Sequence, residues 1–421
     1  MSGASVGGAA WLQDAALQRL LAALNADGEE ARIAGGAVRN ALLGMAVADV
    51  DIATTTPPDE TVRRAEAAGF RTAPTGIEHG TVTVISAGKG YEVTTLRADV
   101  ETDGRRAKVV FGRDWKADAE RRDFTINALY AEADGTIVDL VGGLADLDSR
   151  TLRFIGDAEA RIREDFLRIL RFFRFFAWYG SGRPDAEGLK ACARLKDGLE
   201  RLSAERVWAE LKRLLAAPDP SRALLWMRQA GVLTKVLPES EKWGIDAIHG
   251  LVAAERDLGW APDALLRLEA MIPPDAERMT ALAARLKLSN AEAERLKQWA
   301  AAPKPAPAAT ESDLARKLYR SGRQPMLDRL RLALASARAR AATEDAALVE
   351  AGGYSRLSKF AEKWTAPKFP LKGSDLQGIG IAAGPGMGTL LKRLEDEWIE
   401  ADFRPDGGAL LERAATYREK D

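Results

Sequence analysis

Hydrophobic and polar positions follow two different periods in the two parts of the chain. Up to about residue 150, short runs rich in Val, Ile and Thr alternate with turns and short helical patterns, which predicts a mixed sheet with helices. Beyond that point, apolar residues recur near the 3.6-residue period, which predicts an almost wholly helical region. The predicted strands are 31–33, 47–54, 80–85, 91–97 and 136–140, and the predicted helices of this first part are 37–43 and 58–68.

The second part predicts a succession of helices, interrupted at residues 301–309 by a Pro/Ala-rich stretch typical of a linker. A Gly-rich turn at residues 384–388 precedes the last of these helices. The turn is predicted to be either a loop that caps this helix or a phosphate-binding turn. The predicted helices are 158–179, 203–216, 221–230, 262–270, 275–287, 291–300, 312–320, 325–341, 343–350 and 389–400.

Composition narrows the classes of function. The 421 residues include 61 Lys and Arg against 62 Asp and Glu, a net charge of −1, which argues against a nonspecific polyanion binder. One cysteine, Cys192, excludes a disulfide framework, and one cysteine with two histidines cannot build a zinc site unless carboxylates supply most of the ligands. Any metal is therefore expected to be oxygen-ligated, as Mg²⁺ or Mn²⁺ is.

The sequence also indicates where in the cell the protein is found. The chain has no apolar run long enough to span a membrane, and the first ten residues lack the charged and apolar regions of a secretory signal. We therefore expect a cytoplasmic protein with no membrane partner. The oligomeric state does not follow from the sequence.

Three carboxylates are candidates for a metal site. Asp49 and Asp51 are two apart on a predicted strand, so both side chains would lie on one face, where a divalent cation would relieve their repulsion. Glu92, on another predicted strand, would add a third carboxylate for a two-metal site. The alternatives are solvated aspartates on a half-exposed strand and a glutamate on a sheet edge.

Two basic clusters are candidates for phosphate binding. Gly35 and Gly36 end a predicted strand and open a helix, which exposes backbone N–H groups, and Arg39 follows one turn later. An ordinary tight turn is the alternative. Arg122 and Asp123 stand directly before the apolar run 124–130, where an anion site or a surface ion pair would fit.

A third cluster has a period of three residues. Asp165, Arg168, Arg171 and Arg174 would form a polar ridge on the predicted helix 158–179, and apolar residues cover the rest of that helix. Buried arginines need anions, whether carboxylates, phosphates or base edges. The alternative is a helix that joins domains by salt bridges.

Taken in order, these motifs resemble the class II nucleotidyltransferases of the DNA polymerase β superfamily, which include tRNA CCA-adding enzymes and bacterial poly(A) polymerases. The family's GGxVRD appears as GGAVRN, with Asn40 in place of Asp, and segment 91–123 looks most like the CCA-adding branch of mitochondria and alphaproteobacteria. The four matching motifs are GGAVRN at 35–40, DVD at 49–51, RRD at 121–123 and EDFLR at 164–168.

The resemblance implies an α+β fold: a polymerase-β-like nucleotidyltransferase head at 1–150, a helical neck with the nucleotide-template helix at 151–235, a helical body at 236–302 and a helical, tRNA-binding tail at 310–421. It implies addition of C, C and A to the tRNA 3′ end from CTP and ATP without a nucleic-acid template.

It also implies roles for the candidate residues. Asp49 and Asp51 would hold Mg²⁺, or Mn²⁺ in its place, with Glu92 as a further catalytic carboxylate. Asp165 and Arg168 would read the base. Segment 99–111 matches the family's flexible loop, which would drive the switch from CTP to ATP. The residues implied in nucleotide binding are Gly35, Gly36, Arg39, Arg122, Asp123, Asp165, Arg168, Arg171 and Arg174.

Three alternatives stay open. A bacterial poly(A) polymerase shares the head motifs, but a basic C-terminal extension is expected there, and residues 412–421 balance acidic and basic side chains. The second alternative is a partial specialist that adds only CC or only A. The third is a non-catalytic RNA-binding relative, against which the intact Asp49 and Asp51 pair argues.

Overall fold

The structure, a computed structural model, describes residues 4–100, 108–241 and 245–418. The chain forms two compact units. The first comprises the described residues up to 203 together with 222–236, and the second comprises 204–221 together with the described residues from 237 onward. The domain boundaries expected at residues 150, 235 and 302–310 stay predictions.

A seven-stranded mixed sheet forms the centre of the first unit, with the strand order β3-β4-β5-β2-β1-β8-β9. β2 and β5 are parallel, and the other neighbours are antiparallel. β6 and β7 pair separately. The strands are β1 (Ala31–Ala34), β2 (Asp51–Thr54), β3 (Arg71–Gly76), β4 (Thr81–Ser86), β5 (Lys89–Thr95), β6 (Arg97–Val100), β7 (Lys108–Phe111), β8 (Leu129–Ala131) and β9 (Ile137–Asp139).

Helices cover much of the remaining described chain. None of those described combines the length and apolar character needed to cross a bilayer. The helices are α1 (Ala15–Leu24), α2 (Gly36–Leu42), α3 (Pro58–Ala67), α4 (Trp115–Glu120), α5 (Gly143–Asp148), α6 (Ala158–Glu164), α7 (Leu167–Tyr179), α8 (Ala186–Leu195), α9 (Ala204–Leu215), α10 (Ser221–Gln229), α11 (Val232–Val236), α12 (Asp246–Leu258), α13 (Ala264–Met271), α14 (Ala276–Leu286), α15 (Asn290–Ala301), α16 (Glu311–Ser321), α17 (Arg323–Arg340), α18 (Asp345–Lys363), α19 (Gly373–Gly378), α20 (Pro385–Glu400) and α21 (Gly407–Arg418).

The α+β fold class is confirmed, and individual strands differ from their predicted extent. β2 begins at Asp51 rather than at residue 47, because its partner β1 ends at Ala34, which pairs with Asp51. The short strand β8 was not predicted, since all three of its residues are buried and show no alternation. Of the expected flexible loop 99–111, residues 101–107 lie outside the described residues, and the flanking β6 and β7 pair with each other.

The single helix predicted over 158–179 is wrong. α6 ends at Glu164, Asp165 is extended with φ −154° and ψ 108°, and α7 begins at Leu167. The Asp165 carboxylate accepts the backbone N–H of Leu167 at 3.1 Å, a local bond that competes with a continuous helix. Asp165 therefore lies at the C-cap of α6, before the helix that carries Arg168, Arg171 and Arg174.

The end of the chain also differs from expectation. The helix predicted over 389–400 begins at Pro385, because proline is accommodated in a first helical turn. α21 follows it, and Leu410 of α21 packs in one apolar cluster with Leu394 and Trp398 of α20.

A buried ion pair stands out in the second unit. Arg267 on α13 is 0% exposed, and its Nη2 atom lies 2.6 Å from Oε2 of Glu255 on α12. The guanidinium also donates to the carbonyls of Leu215, the last residue of α9, and of Ala217 just after it, both at 2.5 Å. One side chain thus satisfies a buried carboxylate and the carbonyl groups of another helix end.

Replacing Arg267 should therefore destabilise this unit strongly. We expect Arg267→Met to lower the free energy of unfolding by about 3–5 kcal/mol, because Glu255 stays buried without its partner. Urea unfolding followed by circular dichroism measures this change. The matched control is Arg256→Met, at a position whose side chain is 78% exposed and where the change should be within about 0.5 kcal/mol. Equal effects of the two variants would contradict the prediction.

Candidate active site

The predicted carboxylates lie together at one end of the β2–β5 pair. Asp51, the first residue of β2, is directly opposite Glu92 of β5 in the parallel register, so the strands hold them about 4.8 Å apart at the backbone. Asp49 precedes β2, and all three residues are exposed. Val50 and Ile52 are 3% and 1% exposed, which confirms the expected alternation of buried and open positions.

The electrostatics of this group suit a cation. Partial desolvation raises the pKa of Asp51, the Glu92 and Asp49 carboxylates raise it further, and Arg122 opposes them. A hard divalent ion would relieve this crowding, and the donor set consists of oxygen atoms alone, so the residues fit such an ion. In the described part of the chain, no three acidic, His or Cys side chains already converge tightly enough to define a metal site.

A glycine turn joins β1 to α2 beside these carboxylates. Gly35 has φ 65°, and a Cβ atom there would lie 3.2 Å from both Nη1 of Arg122 and the Asn127 carbonyl oxygen. Glycine is therefore required by the backbone conformation and by the close approach of Arg122. Gly36 is the first residue of α2, where backbone N–H groups lack helical partners.

Arg39, one turn into α2, is buried among neutral acceptors. Its Nη2 atom donates to the Tyr179 hydroxyl at 2.7 Å and to Oδ1 of Asn40 at 3.0 Å, and its Nη1 atom donates to Oδ1 of Asn127. Burial lowers the pKa of Arg39, and nearby Arg174 lowers it further. Asn40 thus keeps the orienting hydrogen bond at the position where the family motif has Asp.

Arg122 is held by a buried carboxylate. Asp118 is 0% exposed and lies 3.1 Å from Nη2 of Arg122, and it also accepts the Tyr130 hydroxyl at 2.7 Å and pairs with Arg121. Burial by itself would raise the pKa of Asp118, but the two guanidinium groups and the hydroxyl lower it below its ordinary value. Asp118 therefore fixes Arg122 beside Gly35 and within electrostatic reach of Asp51.

Asp123 pairs with the ridge on α7. Its Oδ2 atom accepts from Nε of Arg171 at 2.7 Å, and its Oδ1 atom accepts from the Asn127 side chain at 3.0 Å. Arg171, Arg174 and Arg39 each lie within 5.3 Å of the Phe175 ring centre. Three guanidinium groups around one ring concentrate positive charge that suits an anionic ligand.

Arg168 contacts the neighbouring helix α6. Arg168 donates to the Arg161 carbonyl at 2.6 Å and pairs with Glu164 at 2.5 Å. Arg161 in turn donates to the Arg122 carbonyl at 2.6 Å, so a chain of bonds leads from the EDFLR motif to the RRD motif.

Sequence reasoning missed four residues that organise the site: Asp118, Asn127, Arg161 and Tyr179. Asp118 precedes Arg122 by four residues, and Asn127 follows Asp123 by four residues. This spacing is typical of neighbours on a helix and was available in the sequence. Tyr179 is 140 residues from Arg39 along the chain, and no local sequence pattern predicts that contact.

Two family models match the chain. Residues 31–153 match the model described as Poly A polymerase head domain. Residues 183–243 match the one described as Probable RNA and SrmB- binding site of polymerase A.

Curated relatives cover most of the chain. The mouse (Mus musculus) protein named CCA tRNA nucleotidyltransferase 1, mitochondrial is 35% identical over 389 residues, which cover 91% of this chain and 86% of the relative. The chain belongs to the CCA tRNA nucleotidyltransferase family. The human (Homo sapiens) member is 34% identical with the same coverage, and a Streptococcus sanguinis CCA-adding enzyme is 43% identical over 52% of this chain and 54% of its own length.

Solved structures of CCA-adding enzymes agree with this membership. The Bacillus stearothermophilus enzyme in complex with CTP superposes with a TM-score of 0.72 at 26% identity, over 96% of this chain and 98% of that one. The Thermotoga maritima enzyme complexed with tRNA has a TM-score of 0.65 at 19% identity, over 99% and 100%, and shows the fold alone.

The Asp118 network predicts a pH-dependent contribution to stability. Asp118→Asn should lower the free energy of unfolding by about 1.5–3 kcal/mol near neutral pH, because hydrogen bonds to two charged partners weaken. The folded-state pKa of Asp118 is lowered, so its stabilising charge is fully present above the ordinary carboxyl pKa and is lost as pH falls through the folded value.

The difference in the free energy of unfolding between wild type and Asp118→Asn should therefore shrink as the pH falls below about 4. Urea unfolding across this range measures it. Asp148→Asn, at an exposed position on α5, serves as the control and should change stability by less than about 0.5 kcal/mol. If the difference in the free energy of unfolding stays constant with pH, the Asp118 charge contributes nothing to stability.

Proposed function

We propose that this chain is a tRNA nucleotidyltransferase that adds C, C and A to the tRNA 3′ end from CTP and ATP. The observation that carries the proposal is the Asp51–Glu92 pair beside the Gly35 turn, with Arg39 and Arg122 directed to the same place. Family membership supports the enzyme class, and relatives named for CCA addition support the product.

The phosphate contacts come from the first unit. Backbone N–H groups at Gly36, together with the guanidinium groups of Arg39 and Arg122, bind the phosphates and sugar of the incoming nucleotide. Asp118 keeps Arg122 in place, while the neutral partners of Arg39 leave its charge available to an anion. Arg171 and Arg174 extend the cationic surface towards the triphosphate or the primer.

Asp49 and Asp51, with Glu92, would hold a divalent cation, Mg²⁺ or Mn²⁺ in its place. When bound, this cation supplies Lewis-acid stabilisation of the α-phosphate and lowers the pKa of the attacking hydroxyl. The tRNA 3′-oxygen forms a bond to the α-phosphorus, the bond to the β-phosphate oxygen breaks, and pyrophosphate leaves. The arginines neutralise charge on that leaving group.

Base choice is assigned to Asp165 and Arg168. A carboxylate and a guanidinium can match the donors and acceptors on the Watson–Crick edges of C and A. In the structure Arg168 pairs with Glu164, whose side chain is 48% exposed. Base reading therefore requires Arg168 to exchange this contact for the nucleotide.

The remaining roles follow the family pattern. Segment 99–111 drives the change from CTP to ATP, and the body and tail bind tRNA by shape and phosphate contacts. We place the protein in the cytoplasm, although the mouse and human relatives are named mitochondrial.

The description of the matched head as that of a poly(A) polymerase favours one second candidate, template-independent A addition. Purified protein is incubated with tRNA that lacks its 3′ CCA and with CTP and ATP, separately and together. Addition of CCA and nothing further supports our proposal, and long A tails support the second candidate. Addition of only CC or only A would identify a partial specialist, and no addition in Mg²⁺ would refute both proposals.

Asp51→Ala should reduce nucleotide addition at least about 1000-fold while tRNA binding persists, because the loss of a cation ligand removes several kcal/mol of transition-state stabilisation. Single-turnover kinetics and filter binding separate the two effects. Asp148→Ala is the matched control and should keep full activity. Substantial residual turnover in Asp51→Ala would remove Asp51 from the metal site.

Arg168→Ala should alter the ratio of kcat/KM for CTP and ATP by about tenfold, since a paired hydrogen bond to a base contributes about 1–3 kcal/mol of discrimination. Its effect on tRNA affinity should be smaller. Arg163→Ala is the control, because that side chain is 57% exposed and pairs only with Glu159 among the described contacts. An unchanged nucleotide preference would count against the template role of Arg168.

A further inference from the structure

A mostly buried arginine that the proposed mechanism does not use lies between two nucleotide-binding motifs of the first unit. Arg161, on α6, has a side chain that is 11% exposed. Its Nη2 atom donates to the backbone carbonyl oxygens of Arg121 and Arg122, the latter at 2.6 Å. These carbonyls lie at the C-terminal end of α4, where helical partners are lacking. Arg161 therefore anchors α6 to the backbone of the RRD motif.

The other branch of the same guanidinium holds the EDFLR motif. Nη1 of Arg161 donates to both carboxylate oxygens of Glu164, at 2.8 and 2.7 Å. Glu164 is the last residue of α6, and Asp165 follows it directly. Arg161 thus fixes the last turn of α6, immediately before the residues assigned to base choice. One planar side chain joins the two motifs, and its rigid fork of donors suits this task.

The Glu164 carboxylate is shared between two arginines. Its Oε2 atom accepts from Nη1 of Arg161 at 2.7 Å and from Nη1 of Arg168 at 2.5 Å. Arg168 has to leave this carboxylate when it turns to a base. Because Arg161 still balances the Glu164 charge, the exchange leaves no unpaired carboxylate behind. The shared contact therefore lowers the free-energy cost of releasing Arg168.

Stability alone does not account for an arginine at this position. The Nε–H group of Arg161 is buried and has no hydrogen-bond partner among the described residues. A buried donor without a partner is destabilising, and such departures from local rules are typical of functional positions. The place of Arg161 between two motifs supplies a function of this kind.

We propose that Arg161 is a positioning residue for nucleotide binding, an inference that rests on the proposed function. It sets the spacing between Arg122, which binds phosphate, and Arg168, which reads the base. The covalent frame of a nucleotide fixes the distance from its base to its triphosphate. A site that binds both ends therefore needs a matching, fixed spacing between its own groups. Arg161 supplies this spacing and acts through the two other arginines.

Calorimetric titration of the full chain with CTP, ATP and inorganic triphosphate, all in Mg²⁺, separates positioning from a merely structural role. Inorganic triphosphate occupies only the phosphate part of the site, whereas CTP and ATP span both parts. Arg161→Met should weaken the binding of CTP and ATP at least about tenfold and change that of triphosphate by less than about twofold. Arg163→Met, at a 57% exposed position on the same helix, is the matched control and should leave all three affinities unchanged.

A double-variant cycle tests whether Arg161 acts through Arg168. Arg168→Ala should by itself weaken CTP binding, because the contact with the base is lost. Adding Arg161→Met to Arg168→Ala should then weaken CTP binding by less than about threefold further, since residues of one hydrogen-bond network have non-additive effects. Arg163→Met in the same background should change nothing further.

Folding is checked by thermal unfolding of each variant. Arg161→Met loses two bonds to carbonyls but also removes the unpartnered Nε–H, so its melting temperature should stay within about 5 °C of wild type. Arg161→Lys is the second variant, which keeps a positive charge beside Glu164 without the planar fork. It should weaken CTP binding by about threefold to tenfold and leave triphosphate binding intact.

Three results would overturn the proposal. They are unchanged CTP binding in both Arg161 variants, equal losses for CTP and triphosphate, and fully additive losses in the double variant. Because the titrations record binding, failure of the proposed function gives a different result. A wild-type chain that binds CTP but adds no nucleotide to tRNA would refute the proposed reaction and leave the positioning role in place. A wild-type chain that binds neither CTP nor ATP would overturn both.

Discussion

The parallel pairing of β2 with β5 is the constraint on which the site in the first unit depends. This pairing sets Asp51 opposite Glu92 in a sheet whose other neighbours are antiparallel. Val50, Ile52 and Val93 are buried, and a slip of one residue would turn the acidic residues into the core and the apolar ones out of it. The hydrophobic side of the sheet therefore holds two like charges together on the open side.

The arginines around these carboxylates differ in how their charge is balanced. Arg122 and Arg171 each pair with a buried carboxylate, Asp118 and Asp123 respectively. Arg39 instead contacts neutral oxygen atoms of Tyr179 and two asparagines. Paired arginines supply rigid geometry, whereas Arg39, whose hydrogen-bond partners are neutral, supplies attraction for an anion. The combination suits a triphosphate, which needs both.

Much of the site was predictable because its motifs are local. Gly35, Arg39 and the alternation around Asp51 depend on a few consecutive residues whose conformations follow from strand and turn chemistry. The ridge on α7 was predicted only in part, since the bond from the Asp165 carboxylate to the Leu167 N–H breaks the helix at a point where the apolar period continues. Hydrophobic periodicity indicates which side chains are buried. It does not indicate where a side-chain oxygen, in place of a backbone carbonyl, accepts a backbone N–H.

The sequence by itself determined the α+β class, the family and the oxygen-donor character of any metal site, because composition, period and ordered motifs are properties of the chain. Only the tertiary structure decided that Asp51 stands opposite Glu92, that Tyr179 contacts Arg39, and that the Glu269 carboxyl is buried without a hydrogen-bond partner among the described residues. Each of these depends on residues brought together from different elements. Strand register and helix packing are set by the total burial of apolar surface, and no single segment carries that information.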